Sequence, residues 1–303
     1  MKLGYTKNTK LGFMFDIFNV FIMCCVIFVM VYPFWNQLVV SLNDGIDGQR
    51  GGLYFWPRLF SLESYKFIFG SKGLSRAMMW SIIRVVVGTT SCLFCTGLVA
   101  YITTIRWFSA HRLLRRVFII SMYFSGGMIP VYLWYMNIGL VESFHVYWLP
   151  GLVSAYYMML IAAYIFGLPE AMTESARIDG ANEINIYLRI IIPMSIPIYA
   201  ALAIMVAVEH WNSWFDVMLY NSSGKYNTMQ MLLREILLRS DYIKQMMSDS
   251  ASSSDEVRQL AQSITSNSMR AATTMIVTIP IVFVYPFFQK YFIKGISVGA
   301  VKG

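Results

Sequence analysis

Four polar side chains, Glu209, His210, Asn212 and Asp216, stand together in a run that is otherwise almost wholly apolar, with Trp211 and Trp214 between them. An ionisable residue at membrane depth is costly and marks a site by default. Two chemistries suit the group. Hydroxyl-rich solutes are held by hydrogen bonds to acids and amides while their apolar faces stack on aromatic rings, and the cluster offers both. A Glu209–His210 pair also suits a proton relay, but no further chain of buried carboxylates continues it. Tyr132 and Tyr135, in an earlier apolar run, could line the same pathway, although tyrosines in membrane bundles more often simply pack. An interfacial aromatic belt with polar residues paired between helices fits the same residues.

Other reactive-looking residues read more plainly. Cys92 and Cys95 form a C-x-x-C, a spacing used by redox and metal pairs. No second pair and no nearby His completes a metal set, so they read as small apolar residues on a helix. Arg84 is explained most simply by snorkelling to the outer headgroups. No G-x-x-x-x-G-K-[ST] occurs, and the glycines of Gly295–Gly303 do not fit that spacing. Nothing resembles a nucleophile triad. The chain is expected to have no catalytic residue and no metal site, and it is not expected to hydrolyse ATP itself.

The elements that position these residues follow from composition. Of 303 residues, 57% are hydrophobic and 13% charged, against about 25% charged in soluble domains. The net charge of +8 is accounted for by a positive-inside bias and anionic lipid, so nucleic acid is not expected as a partner. Lys2, Lys7 and Lys10 precede an apolar stretch from about Leu11 to Leu42, far longer than the roughly 7–15 residues of a signal-peptide core. That stretch reads as a first span that is retained.

A spanning helix needs roughly 20 mostly apolar residues. Six segments qualify, at about 13–40, 78–105, 113–136, 146–166, 196–220 and 271–292. Only helices or closed barrels span lipid, and continuous apolar runs exclude the alternation of a barrel. The expected fold is therefore an all-α membrane protein of six spanning helices in a single domain. The link between the second and third spans carries Arg106, Arg112, Arg115 and Arg116, whereas residues 137–147 carry no Lys or Arg. The first link is thus cytoplasmic and the second external. Both termini then fall in the cytoplasm, and loops at about 43–75 and 221–270 fall outside. In the second of these, residues 229–238 have helical apolar spacing and the stretch 248–256 is polar and expected to be flexible.

A polar insert at about 167–195 separates the fourth and fifth spans on the cytoplasmic side. Its residues predict two short helices and a turn. Pro169 suits a first helical position, and Glu170 suits the positive helix end. Gly180 supplies a left-handed turn and Asn182 caps a second helix. Ile184, Tyr187, Leu188 and Ile191 recur at helical spacing and are expected to pack on the bundle. Glu174, Arg177 and Asp179 are left to face a partner. Composition alone fits equally an amphipathic linker lying on the membrane surface.

Glu174-Ser175-Ala176, Asp179-Gly180-Ala181, and Pro193 followed by Pro197 resemble the coupling loop of ABC importer permeases, with Ser175 in place of the usual second Ala. The tail Gln289–Gly303, Ser125-Gly126-Gly127 with Pro130 and Tyr132, and Trp211–Asp216 resemble the carbohydrate branch of that family, and within it the importers of oligosaccharides. The resemblance covers most of the chain and implies a type I importer permease fold in the cell (inner) membrane. It implies that Glu174, Ser175, Ala176, Arg177, Asp179, Gly180 and Ala181 couple to an ATPase, with Lys294, Gly299 and Lys302 of the tail near the same interface. Trp211, Asn212, Trp214, Asp216, Glu209 and Tyr132 become the substrate-pathway candidates. The implied partners are a second related permease, two ATP-binding subunits or domains that carry the ATP and magnesium, and an extracellular or periplasmic sugar-binding protein. No cofactor is expected on this chain. Two rivals remain: an ion-driven secondary transporter, and a membrane scaffold or sensor that recruits a cytoplasmic protein through the insert.

Overall fold

The computed structural model describes residues 10–71, 73–238 and 266–300, the side chains of 10, 11, 49, 266, 285 and 287 onward excepted. It is helical throughout, apart from one isolated antiparallel bridge between Asn43 and Phe60. The elements are α1 (Lys10–Ser41), α2 (Gly45–Gln49), α3 (Glu63–Phe69), α4 (Leu74–Thr104), α5 (His111–Ser121), α6 (Met128–Asn137), α7 (Ala155–Ile165), α8 (Glu170–Ile178), α9 (Glu183–Ile186), a π-helical turn (Tyr187–Ile191), α10 (Ile192–Met194), α11 (Ile196–Asn212), α12 (Phe215–Tyr220), α13 (229–238) and α14 (Ser266–Ala300).

Among the described residues, three helices are long and apolar enough to cross a membrane: Gly12–Ser41, Leu74–Thr104 and Asn267–Val284. Two further pairs qualify as broken spans, α7 with α8 and the α9–α10 stretch with α11, bent by 84° and 83°. The stretch expected as one span at 113–136 is instead two helices, α5 and α6, separated by residues 122–127. Gly127, with φ of +83°, takes the left-handed backbone that lets α6 start in a new direction. The expected fourth and fifth spans are likewise interrupted: a 3-10 turn at Phe144–Tyr147 is followed by α-helix only from Ala155, and α11 stops at Asn212 before α12. Apolar composition fixes membrane depth, not helical continuity, and irregular backbone is tolerated where protein or a cavity surrounds it.

The backbone divides into two compact units. One comprises, of the described residues, 10–71, 235–238 and 266–279. Its α1 is exposed along nearly its whole length, as suits a helix whose neighbours are lipid or another chain. The loop after α1 is tied together by side-chain hydrogen bonds. Asp44 caps α2 by accepting from the Ile46 and Asp47 amides. Asn43 Oδ1 accepts from the Arg58 and Leu59 amides at 2.8 and 3.0 Å, and Arg58 Nε donates to Asp47 at 2.9 Å. Hydrogen bonds from Asn43 and Arg58, outweighing partial burial, hold the Asp47 carboxyl below its usual range.

The other unit, residues 72–234 and 280–303, carries all the candidate residues of the insert and the pathway. Its centre is α4, with α7 and α11 packed along it. The core joins Cys92, Ala100 and Tyr101 of α4 to Tyr157, Met158 and Ile161 of α7, to Ile186, Tyr187 and Ile191, and to Leu202 and Val206 of α11. Cys92 sits in this core with its sulfur 3.7 Å from Thr96 Oγ1. Two glycines of α4 permit the approach of α11. A Cβ at Gly97 would run into the hydroxyls of Tyr199 and Tyr187, and one at Gly88 into the His210 ring. Small residues at helix contacts are the usual route to tight packing in lipid, where the hydrophobic effect gives no drive between helices.

Candidate functional site

The insert forms two helical stretches and a turn, with its chain direction turned sharply at both ends, but Pro169 stands just before the first helical position it was expected to fill, and the second stretch is α9, a π-helical turn and α10. Gly167 and Leu168 close α7 by bonding to Tyr164 O and Ile165 O. Pro169 disfavours helix at the residue before it, so α8 starts in a new direction, with Pro169 as its cap and Glu170 in its first turn. At its far end the Ala181 amide donates to Ala176 O at 2.9 Å and the Gly180 amide to Arg177 O at 3.0 Å. This is the paired pattern of a Schellman ending, and it needs the left-handed residue supplied by Gly180, whose φ is +80°. Asn182 Oδ1 then accepts from the Asn185 amide at 2.8 Å and caps α9.

One correction concerns the face that packs. Tyr187 and Ile191 are fully buried, but Ile184 and Leu188 are exposed, and Ile186 takes the buried place. The expected face runs into the π-helical turn Tyr187–Ile191. It breaks the 3.6-residue period on which the expectation rested.

No residue of α8 is buried. Glu174, Ser175, Asp179 and Gly180 are exposed, and so are Met172 and Ile178, the latter 86% accessible. Ala176 and Ala181 are partly buried against the bundle core. Arg177 differs from its neighbours. Its Nε donates to Glu183 at 2.8 Å across the turn, and its second amino group reaches the Tyr101 hydroxyl at 3.4 Å. Tyr101 itself donates to Glu183. The hydrogen bond to Glu183 raises Arg177 above its ordinary value, against the cost of partial burial. Burial would lift the Glu183 carboxyl, but hydrogen bonds from Arg177 and Tyr101 and the adjacent positive charge hold it below the usual range. Sequence reading missed Glu183 and Tyr101, since Tyr101 lies 82 residues before its partner.

The polar residues of the fifth span fall into two groups. Glu209 is exposed and accepts from the Tyr157 hydroxyl at 2.9 Å. Asn212, also exposed, accepts from Gln230 at 3.2 Å, and Trp211 is half-buried. Beyond the break, Asp216 turns inward. It pairs with Arg84, accepts from Ser213 Oγ at 2.7 Å and accepts from the Val217 amide at 2.9 Å. Arg84 is 2% exposed and lies over the Tyr147 ring at 4.8 Å. The snorkelling expectation for Arg84 is therefore corrected: an opposite charge inside the unit offsets its desolvation. Trp214 lies under Arg234, 3.7 Å from ring centre to guanidinium. Tyr132 is stacked on Tyr220 at 5.9 Å with nearly parallel rings. Lone charges of opposite sign in two apolar runs were the available signal for the Arg84–Asp216 pair.

Of the tail candidates, Lys302 lies outside the described residues, as do the side chains of Lys294 and its neighbours in the last turns of α14. The polar stretch 248–256 lies outside them too. Among the described residues, no group of three or more His, Cys, Asp or Glu side chains could hold a metal ion.

Residues 96–298 match the family described as binding-protein-dependent transport system inner membrane component. The chain is 35% identical over 297 residues to protein LplC of Bacillus subtilis, covering 98% of this chain and 97% of that one. It is 32% identical to the polygalacturonan/rhamnogalacturonan transport system permease protein YtcP of the same organism, over 91% and 93% of the two chains. Its fold is similar to that of a chain in the crystal structure of a bacterial ABC transporter involved in the import of the acidic polysaccharide alginate. That match has a TM-score of 0.78, covers 95% of this chain and 100% of the other, and has 22% identity.

Proposed function

Since the chain belongs to the binding-protein-dependent transport system inner membrane components, a family of multi-pass transport permeases rather than enzymes, we propose that it is one permease subunit of an ATP-driven importer of carbohydrate, with an oligosaccharide as its cargo. The observation that carries this reading is the exposed α8–α9 hairpin, closed by the Gly180 turn, on a chain with no phosphate-binding loop of its own. A rigid polar hairpin is suited to docking in a cleft of a separate motor. Glu174, Ser175, Asp179 and Gly180 form the docking face. The six apolar segments cross the membrane with both termini inside, and the discontinuous ones line the path. Two ATP-binding subunits below hold the ATP and magnesium, a second related permease encloses the path, and a sugar-binding protein docks on the external loops. This chain itself needs no cofactor.

The carbohydrate assignment draws support from the names of relatives, YtcP and the arabinooligosaccharides permease AraQ, and from the exposed Glu209 and Asn212 beside aromatic rings. A carboxylate exposed on a spanning helix is too costly to leave against lipid, so it faces water or another chain. The test is uptake by proteoliposomes holding the assembled importer and its binding protein, supplied with radiolabelled arabinan- and pectin-derived oligosaccharides. We expect ATP-dependent uptake of one class. Gly180→Pro and Glu174→Lys leave the protein in the membrane but uncouple ATP hydrolysis from uptake. Wild-type uptake by both variants, or uptake that survives loss of the ATPase subunits, refutes the reading.

A further inference from the structure

The hairpin is tied to the chain before it and after it at two corners, 84° between α7 and α8 and 83° between the α9–α10 stretch and α11. A corner at a helix break acts as a hinge, because few backbone hydrogen bonds cross it. Two hinges alone would let α8 swivel when pushed and would pass little motion into the bundle. Non-covalent ties remove that freedom: one joins Tyr187 to the Tyr199 hydroxyl of α11 at 3.2 Å, and the others converge on α4. Tyr101 of α4 receives a bond from Arg177 on one side of the Gly180 turn and donates to Glu183 on the other. One turn of chain further on, the Tyr187 hydroxyl donates to Phe94 O at 2.9 Å, and its ring stacks on Tyr101 with centroids 5.9 Å apart.

We propose that Arg177, Glu183 and Tyr101 form a strut that fixes the coupling hairpin to α4, so that displacement of α8 is delivered to the second span as a rigid-body push. All three are positioning residues. The strut rests on the permease reading above and deepens it by naming where the force goes. Its ion pair is about one-third exposed on each partner, 30% and 31%, and pairs so accessible add only about 0–1 kcal/mol to stability. Its consequence is therefore geometric: a planar guanidinium bidentate on one carboxylate sets both distance and angle.

The experiment uses the assembled importer in nanodiscs, with the four native cysteines replaced by alanine and spin labels at Glu170→Cys and Thr90→Cys, both exposed positions outside the strut. Interlabel distance is measured without nucleotide and after trapping with ATP, magnesium and vanadate. In the otherwise unaltered chain, the distance changes by no more than the about 1–2 Å of ordinary helix shifts. In Glu183→Gln and Tyr101→Phe the ATPase subunits still co-purify, but the distance becomes dependent on nucleotide. Oligosaccharide uptake per ATP hydrolysed falls about tenfold, within the usual range of coupling effects. The swap Arg177→Glu with Glu183→Arg restores a fixed distance where Arg177→Glu alone does not. A distance that stays fixed in Glu183→Gln and Tyr101→Phe overturns the strut. Co-purification of the ATPase subunits reads the parent hypothesis separately, since it can fail without touching these distances.

Discussion

Two ion pairs in the same unit work in opposite settings. Arg84 and Asp216 meet inside the bundle, with Arg84 side-chain exposure of 3%. Arg177 and Glu183 meet at its edge, each about one-third exposed. The inner pair joins a continuous helix, α4, to the break between α11 and α12, and a tyrosine ring and a serine hydroxyl complete its shell. The outer pair closes a turn and borrows a tyrosine from α4. Burial decides what each does. A desolvated pair holds its helices together because either charge alone is intolerable, whereas a solvated pair sets an angle and contributes little to stability.

The largest expected effect is on the inner pair. Asp216→Ala leaves a buried cation unpaired and costs about 3–5 kcal/mol, read as loss of monodisperse protein in thermal scans of the detergent-solubilised chain. Replacing both partners, Arg84→Met with Asp216→Leu, recovers most of that loss, because no charge is then stranded. If the double variant is as unstable as the single one, the pair is not the source of the cost.

Next comes the turn. Gly180→Ala forces a Cβ into the left-handed region at about 1–2 kcal/mol, although nothing lies within contact distance of that Cβ. Gly180→Asn, which tolerates this backbone better, is expected to cost less. Equal melting temperatures for the two variants would show that the conformation at 180 is not strained.

The outer pair gives a smaller stability effect and a defined pH behaviour. Glu183 is held below the ordinary carboxylate range in the folded chain. The contribution of the pair is therefore fully present above the unfolded carboxylate value and lost only as pH falls through the lower folded value. Uptake per ATP hydrolysed should be the same at pH 7 and pH 5.5, and a fall across that interval contradicts the assignment. Smallest of all is the exposed Arg106–Glu170 contact at 3.7 Å. Arg106→Ala should leave stability within about 0.5 kcal/mol of wild type.

The same contrast explains what was legible beforehand. The hairpin could be read because its signals are local: Gly180 and Asn182 act within a few residues of themselves as their chemistry requires, and Pro169 marks the start of α8 from the cap, one position before the one expected. The packed face could not, because the π-helical turn shifts the register and no single residue announces it. The breaks at 122–127 and 213–214 were hidden by uniformly apolar surroundings. Arg84 was misread because its partner lies 132 residues away, and a lone arginine in an apolar run looks the same whether it snorkels or pairs. Among the pathway candidates, Glu209 and Asn212 are exposed, while Asp216 and Trp214 are engaged by Arg84 and Arg234. Sequence spacing alone could not separate these groups, because the separation arises at the helix break.

The central claim is that α8 is a cytoplasmic handle gripped by an ATP-hydrolysing partner. Ile178, the most exposed large apolar residue on that helix, is the place to test it, with a photo-crosslinking amino acid at position 178 in intact cells. The account predicts a covalent adduct with an ATP-binding subunit, formed from the cytoplasmic side. An adduct with an extracellular protein, or only with lipid in the intact assembly, contradicts it.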